Sequence, residues 1–179
     1  MSAQGRFIFR VKSLGIFLTF PHHFVDHELF MTYVQDTNVT IASYAIENHK
    51  DGTPHTHIVF VTQQPTLWEA QAFQGVFGTH PHMRRLTTLP DAYRTIAYCC
   101  KTTVADLHVL HPLKSAFVYS QILSELFKYM KRAKNAQVQA QFQRQYHAMR
   151  QHWLGINPLG TDPYRSSQVE SENASQYFE

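Results

Sequence analysis

Apolar and polar positions along residues 10–110 switch between a period of two and a period near 3.6, so strands and helices are expected to interleave. Residues 14–20 read as a buried strand, closed by Pro21. Residues 24–34 read as a helix, with Phe24, His27, Leu29, Phe30, Tyr33 and Val34 near helical spacing. Residues 40–47 and 55–62 read as the two strands of a hairpin around the turn signal Asn48-His49-Lys50-Asp51-Gly52-Thr53-Pro54. Residues 66–77 look helical, with Thr66 as N-cap and Glu69 completing a capping box. A short strand follows at 82–86, then a helix at 91–102 entered through Pro90-Asp91, then a strand at 106–110 stopped by Pro112. From 116 to 152 the pattern predicts one or two long helices. Val118, Ile122, Leu126 and Met130 form one apolar stripe, and Val138, Phe142, Tyr146, Met149 and Trp153 a second. Gly155, Pro158, Gly160 and Pro163 end the helical pattern, and residues 166–179 form a polar tail.

Hairpins dominate this order and no regular βαβ repeat appears, which predicts an α+β fold of antiparallel sheet and flanking helices. Three parts are expected: a domain over 1–113, a basic helical extension over 114–156, and a flexible tail over 157–179. The first stripe is expected to pack back on the sheet, and the second to serve a homo-oligomer interface. At 179 residues and 44% hydrophobic, the chain can build a real core. It has no apolar run of membrane-spanning length, and Arg6, Arg10 and Lys12 interrupt any signal-peptide pattern. The two cysteines are neighbours, Cys99 and Cys100, so they are expected to be packing residues of a protein in a reducing, intracellular compartment. Charge is uneven: residues 1–113 carry eight basic and eight acidic side chains, while residues 114–161 carry seven basic ones against Glu125 alone. That block attracts polyanions, although a solvated helix face explains it equally well.

The chemistry concentrates in two short segments. His55 and His57, one residue apart in an apolar strand, point to the same face. Glu47 lies eight residues before His55, across the turn, where the hairpin returns its carboxylate to the two imidazoles. Two imidazoles, one carboxylate and open positions suit a divalent cation used catalytically. Downstream, Tyr98 and Lys101 lie i,i+3 on a helical segment and share a face. A phenol is protonated at neutral pH and needs a metal field, a base or a cation before it attacks. A metal beside a presented tyrosine suggests phosphodiester transesterification.

With these residues in place, the chain resembles the replication initiators of circular single-stranded DNA viruses and related plasmids, which are HUH endonucleases. The resemblance covers roughly residues 14–105. Ile16-Phe17-Leu18-Thr19-Phe20-Pro21 resembles the family's opening-strand motif. Pro54-His55-Thr56-His57 with Glu47 resembles its metal motif, and Tyr98-Cys99-Cys100-Lys101 its YxxK nucleophile motif. Phe77-Gly78-Thr79-His80-Pro81-His82-Met83-Arg84-Arg85 is similar to the segment before the fourth strand of geminivirus-type initiators. Thr56 departs from the family's hydrophobe, at a position that faces away from the metal. The resemblance implies a five-stranded ferredoxin-like or RRM-like sheet, Mn²⁺ or Mg²⁺ on Glu47, His55 and His57, and Tyr98 as nucleophile. The implied substrate is single-stranded DNA at an origin stem-loop. The implied product is a 5′-phosphotyrosine and a free 3′-hydroxyl, in the host nucleus for a virus of eukaryotes and in the cytoplasm otherwise. Lys101 is expected to stabilise charge on the phosphate or to hold a metal-bound water.

Each residue also has a plainer role to weigh. A lone HxH is often packing or surface histidine, and a lone tyrosine is often core; Tyr93, on the same helix, is the internal comparison for Tyr98. His22, His23 and His49 read as exposed loop residues, and Phe17 and Phe20 as core. His80, His82, Arg84 and Arg85 are candidates for DNA contact. Alternatives are a single-tyrosine HUH transposase or relaxase, and an RRM-like binding module whose histidines are incidental. No GxxxxGK(S/T) loop occurs, so no NTPase activity is expected.

Overall fold

A computed structural model describes residues 9–101, 103, 105–110 and 115–156. The elements are β1 (Arg10–Phe20), α1 (His27–Asp36), β2 (Val39–Asn48), β3 (Pro54–Glu69), α2 (Ala70–Phe77), β4 (His82–Leu86), α3 (Leu89–Cys99), β5 (Asp106–Val109), α4 (Ser115–Arg132) and α5 (Ala136–Ile156). The fold is α+β. Its five strands form one antiparallel sheet in the order β4-β1-β3-β2-β5. β3 is central and covered on both faces, so its stretch from His55 to Thr62 is buried throughout, whichever way a side chain points.

Alternation along the strands feeds two cores. Ile16, Leu18, Ile58 and Phe60 point to one face, where α1 contributes Phe30 and Val34 and α2 contributes Phe73 and Phe77. Ile41, Val59, Val61 and Leu86 point to the other, under Ile96 and Ala97 of α3 and Ile122 and Leu126 of α4. Phe142, Tyr146 and Met149 of α5 belong to that second core as well. The stripe read as an oligomer interface is therefore covered by its own chain at these three positions, and the core runs on from the sheet into the helices after residue 114. The side chain of Trp153 and the proposed tail over 157–179 lie outside the described residues, as does the stop at Pro112. Among the described residues, no helix is long and apolar enough to cross a membrane.

The expected helix over 66–77 is shorter. Residues 66–69 continue β3, and the helix starts at Ala70. The capping box does not form: the Thr66 hydroxyl bonds Thr62 and the Gln64 carbonyl, while Glu69 pairs with Arg10 at 2.7 Å. The cause is a non-local ladder in which Thr66 to Glu69 pair with Ser13 to Arg10 of β1, clamped by Trp68 Nε1 donating to the Ser13 carbonyl. That ladder also starts β1 four residues earlier than the pattern suggested. Gly15 sits just past the irregularity in this pairing, where a Cβ would lie 2.7 Å from the Phe60 carbonyl oxygen. The helix expected from residue 24 begins at His27, after Asp26 accepts the Glu28 N–H as its cap. The long helical stretch divides at Asn135, whose side chain caps Val138 N–H and restarts the chain as α5.

Candidate metal and nucleophile centre

The hairpin of β2 and β3 pairs Glu47 directly with His55, and β1 pairs Thr19 with His57. Its turn is fixed by Asp51, which accepts from Thr53 N–H, and by Gly52 at φ 83°. The local sequence thus returns the carboxylate to the strand that carries the imidazoles. Nε2 of His55 lies 3.1 Å and Nε2 of His57 3.2 Å from the same Glu47 oxygen, Oε2. Both rings are buried, at 9% and 7% exposure.

Burial depresses the pKa of both histidines, and the attraction of Glu47 does not offset it; His49 beside His55, and His55 beside His57, push the same way. Both imidazoles are therefore neutral at pH 7, the form that ligates metals. Burial works to raise the Glu47 carboxyl, but the hydrogen bond and charge of Lys101, with help from both histidines, leave it lowered and anionic. Burial likewise works to lower Lys101, and its bonds to Tyr98 and Glu47 hold it above the ordinary lysine range.

Lys101 occupies the turn after α3 rather than the helix itself. Its ammonium lies 3.0 Å from Glu47 Oε1 and donates to the Tyr98 hydroxyl at 3.1 Å. One cation thus ties the carboxylate of the HxH group to the phenol. Tyr98 is 43% exposed, whereas Tyr93 on the same helix is 5% exposed and part of the core. Position on α3, not residue type, presents Tyr98. Cys99 and Cys100 are free and buried, and burial pushes both thiols up.

The donor set fits a divalent cation. Ligands about 2.1 Å from an octahedral Mg²⁺ lie about 3.0 Å apart, close to the spacings around Glu47. The Thr19 hydroxyl lies 3.2 Å from His57 Nδ1, the outer contact that orients a ligating imidazole. His55 Nδ1 is buried with no hydrogen-bond partner among the described residues, and Nε2 is the nitrogen of that ring held against Glu47. Thr56, fully buried, faces away as expected. Its hydroxyl accepts from Val25 N–H at 3.0 Å and donates to the His23 carbonyl at 2.9 Å, fastening the loop after β1.

Several neighbours have roles that sequence alone did not indicate. His49 is half-buried, not an exposed loop residue; its ring lies 4.2 Å from that of His55 and 4.7 Å from that of His22. His23 is also half-buried and bonds the Phe77 carbonyl, while His22 is exposed. Phe20 is core, but Phe17 stacks on His57 at 5.4 Å and lies under the Arg84 guanidinium at 5.6 Å. Phe17, Arg84, Asp91, Arg94, Thr95, Tyr98 and Tyr129 line a cavity of about 260 Å³ beside the phenol. Arg84 also reaches Asp91 and Thr95 of α3.

The expected basic rim divides. His82 and Arg84 pair with Thr19 and Phe17 and share the site face, whereas Arg85 pairs with Ile16 and points to the opposite one. His80 is exposed in the turn before β4. Arg94 joins the site by helical spacing from Tyr98, a signal available in the sequence only once Tyr98 is taken as the centre. Neither protein-family models nor curated proteins yield a match to this chain.

Proposed function

We propose that this chain is a metal-dependent endonuclease and strand transferase for single-stranded DNA, of the HUH replication-initiator type that its motifs resemble. The observation that carries the reading is the continuous contact from the two histidines through Glu47 and Lys101 to the exposed Tyr98 hydroxyl. Glu47, His55 and His57 would hold Mn²⁺ or Mg²⁺. The bound cation supplies charge neutralisation on a non-bridging phosphate oxygen. Tyr98 attacks the scissile phosphorus as its phenolic proton leaves to solvent. The new bond joins the phenolic oxygen to phosphorus, the bond to the 3′-oxygen breaks, and that oxygen takes up a proton as a free 3′-hydroxyl. Lys101 donates to the phenolic oxygen and holds it beside the carboxylate of Glu47. The 5′-phosphotyrosine conserves the phosphodiester bond, so reversal rejoins ends without ATP.

The cavity beside Tyr98 supports a splayed single strand as substrate: Arg84 and Arg94 offer charge to phosphates, and Tyr129 offers a ring to a base. An exposed loop of an origin stem-loop presents such a strand. Two buried free thiols suit an intracellular setting, the nucleus for a virus of eukaryotes. The test is a denaturing gel of labelled stem-loop DNA with wild type, Tyr98→Phe and Tyr93→Phe, in Mn²⁺ or EDTA. A protein-linked band is expected for wild type and Tyr93→Phe in Mn²⁺ alone. Binding that ignores EDTA, with no covalent band across a panel of loops, would replace this reading with a binding module.

A further inference from the structure

A second group of metal-competent side chains lies on the opposite face of the sheet and takes no part in the site above. Along β5, Leu107 and Val109 enter the core under α3 and α4, which turns Asp106 and His108 toward α1. Their register partners, Tyr44 and Ala42, belong to the α1 core. His27, the first residue of α1, meets them there. Its Nε2 lies 2.6 Å from Asp106 Oδ2, and Nε2 of His108 lies 2.8 Å from the same oxygen. The rings of Tyr44 and Phe30 wall the group, at 5.1 Å from His27 and 5.8 Å from His108.

The geometry points to a second divalent-cation site, of the zinc class, held by His27, Asp106 and His108 and fastening the edge strand β5 to the start of α1. Two imidazoles and one carboxylate are the donor set of a three-ligand zinc site with one open position. Imidazole donors suit Zn²⁺ and Co²⁺, and the same donor set at the HxH site takes these ions as well. Tetrahedral ligands about 2.0–2.1 Å from zinc lie about 3.3 Å apart, so the 2.6 Å and 2.8 Å contacts open by about 0.7 and about 0.5 Å on binding. The side chains, between 27% and 47% exposed, have room to do so. The partial positive charge of the α1 N-terminus opposes a cation, and Asp26 at the cap with Glu28 in the first turn offsets it. β5 has four residues and, among the described residues, pairs with β2 alone, so a metal clip adds what the ladder lacks.

Cobalt titration followed by visible absorption tests this in the full chain. Wild type should take up two equivalents, and His27→Ala/His108→Ala one, with loss of the four-coordinate Co²⁺ bands. Zinc should raise the melting temperature of wild type by more than that of His27→Ala, which keeps the HxH site; this single exposed change serves if the double variant fails to fold. Should the HxH site bind nothing, wild type takes one equivalent and His27→Ala/His108→Ala none, which separates the two readings. Unchanged stoichiometry and bands in the His27 and His108 variants would overturn the proposal.

Discussion

Replacing Thr56 by valine moves the sequence toward the histidine-hydrophobe-histidine pattern and introduces a better strand former, yet it should destabilise the protein. The Thr56 side chain is fully buried, and its hydroxyl makes two bonds, one from Val25 N–H and one to the His23 carbonyl. Val25 is itself 1% exposed, so its N–H has no water to turn to. An orphaned buried donor costs about 1–3 kcal/mol, and the second bond about 1 kcal/mol. The added methyl returns about 0.8 kcal/mol. The net loss is about 2 kcal/mol, or about 4–8 °C in melting temperature for a chain of this size. Urea denaturation of wild type, Thr56→Val and Thr56→Ser measures it. Thr56→Ser keeps the hydroxyl and should lose only about 1 kcal/mol for its missing methyl. A valine variant as stable as wild type would refute the idea that this position is selected for its hydroxyl.

In EDTA, stability should fall as pH drops below about 6.5, because the unfolded histidines take up protons before the depressed His55 and His57 do. His55→Asn/His57→Asn should flatten that slope, while the contribution of Glu47, whose pKa is also lowered, is lost only at more acid pH; a slope unchanged in the double variant would count against it. Lys101→Met removes the ammonium shared by Glu47 and Tyr98 and should slow covalent adduct formation about 10²-fold, with partial rescue by Lys101→Arg. Single-turnover kinetics reads this, and an unaltered rate would show that Lys101 only fills space. Gly15→Ala places a Cβ 2.7 Å from the Phe60 carbonyl oxygen and should cost about 1–3 kcal/mol in urea unfolding. A neutral Gly15→Ala would mean that the central strands separate easily.

The site was legible where its chemistry is local. The spacing of Glu47, the turn and the HxH pair is set by one hairpin, and strand alternation alone puts both imidazoles on one face. Tyr98 and Lys101 are three residues apart, so their meeting needs only the tight turn that closes α3, where Lys101 N–H bonds the Tyr98 carbonyl. What escaped depends on pairing between distant segments. Thr66 and Glu69 carry a sound helix-start signal, but the ladder with Arg10 to Ser13 outweighs it, and nothing within residues 66–69 announces that ladder. His49 reads as a turn residue until the hairpin folds its ring against His55. Asp106 and His108 alternate visibly, yet His27, 79 residues before Asp106, joins them only through the packing of α1 on the sheet. Phe17 and Leu18 are both apolar residues of one strand, and only the sheet's two faces separate a residue of the site from a residue of the core.

The proposed chemistry requires a covalent bond between DNA and Tyr98, and peptide mapping of the adduct locates it. Trypsin cleaves after Arg94 and Lys101 and isolates residues 95–101, which contain Tyr98 but not Tyr93. Mass spectrometry of a Mn²⁺ reaction on stem-loop DNA should find a nucleotide phosphate on that peptide, at Tyr98, and none in EDTA. A nucleotide attached to any other residue, or no adduct where the DNA has been cut, would contradict the claim.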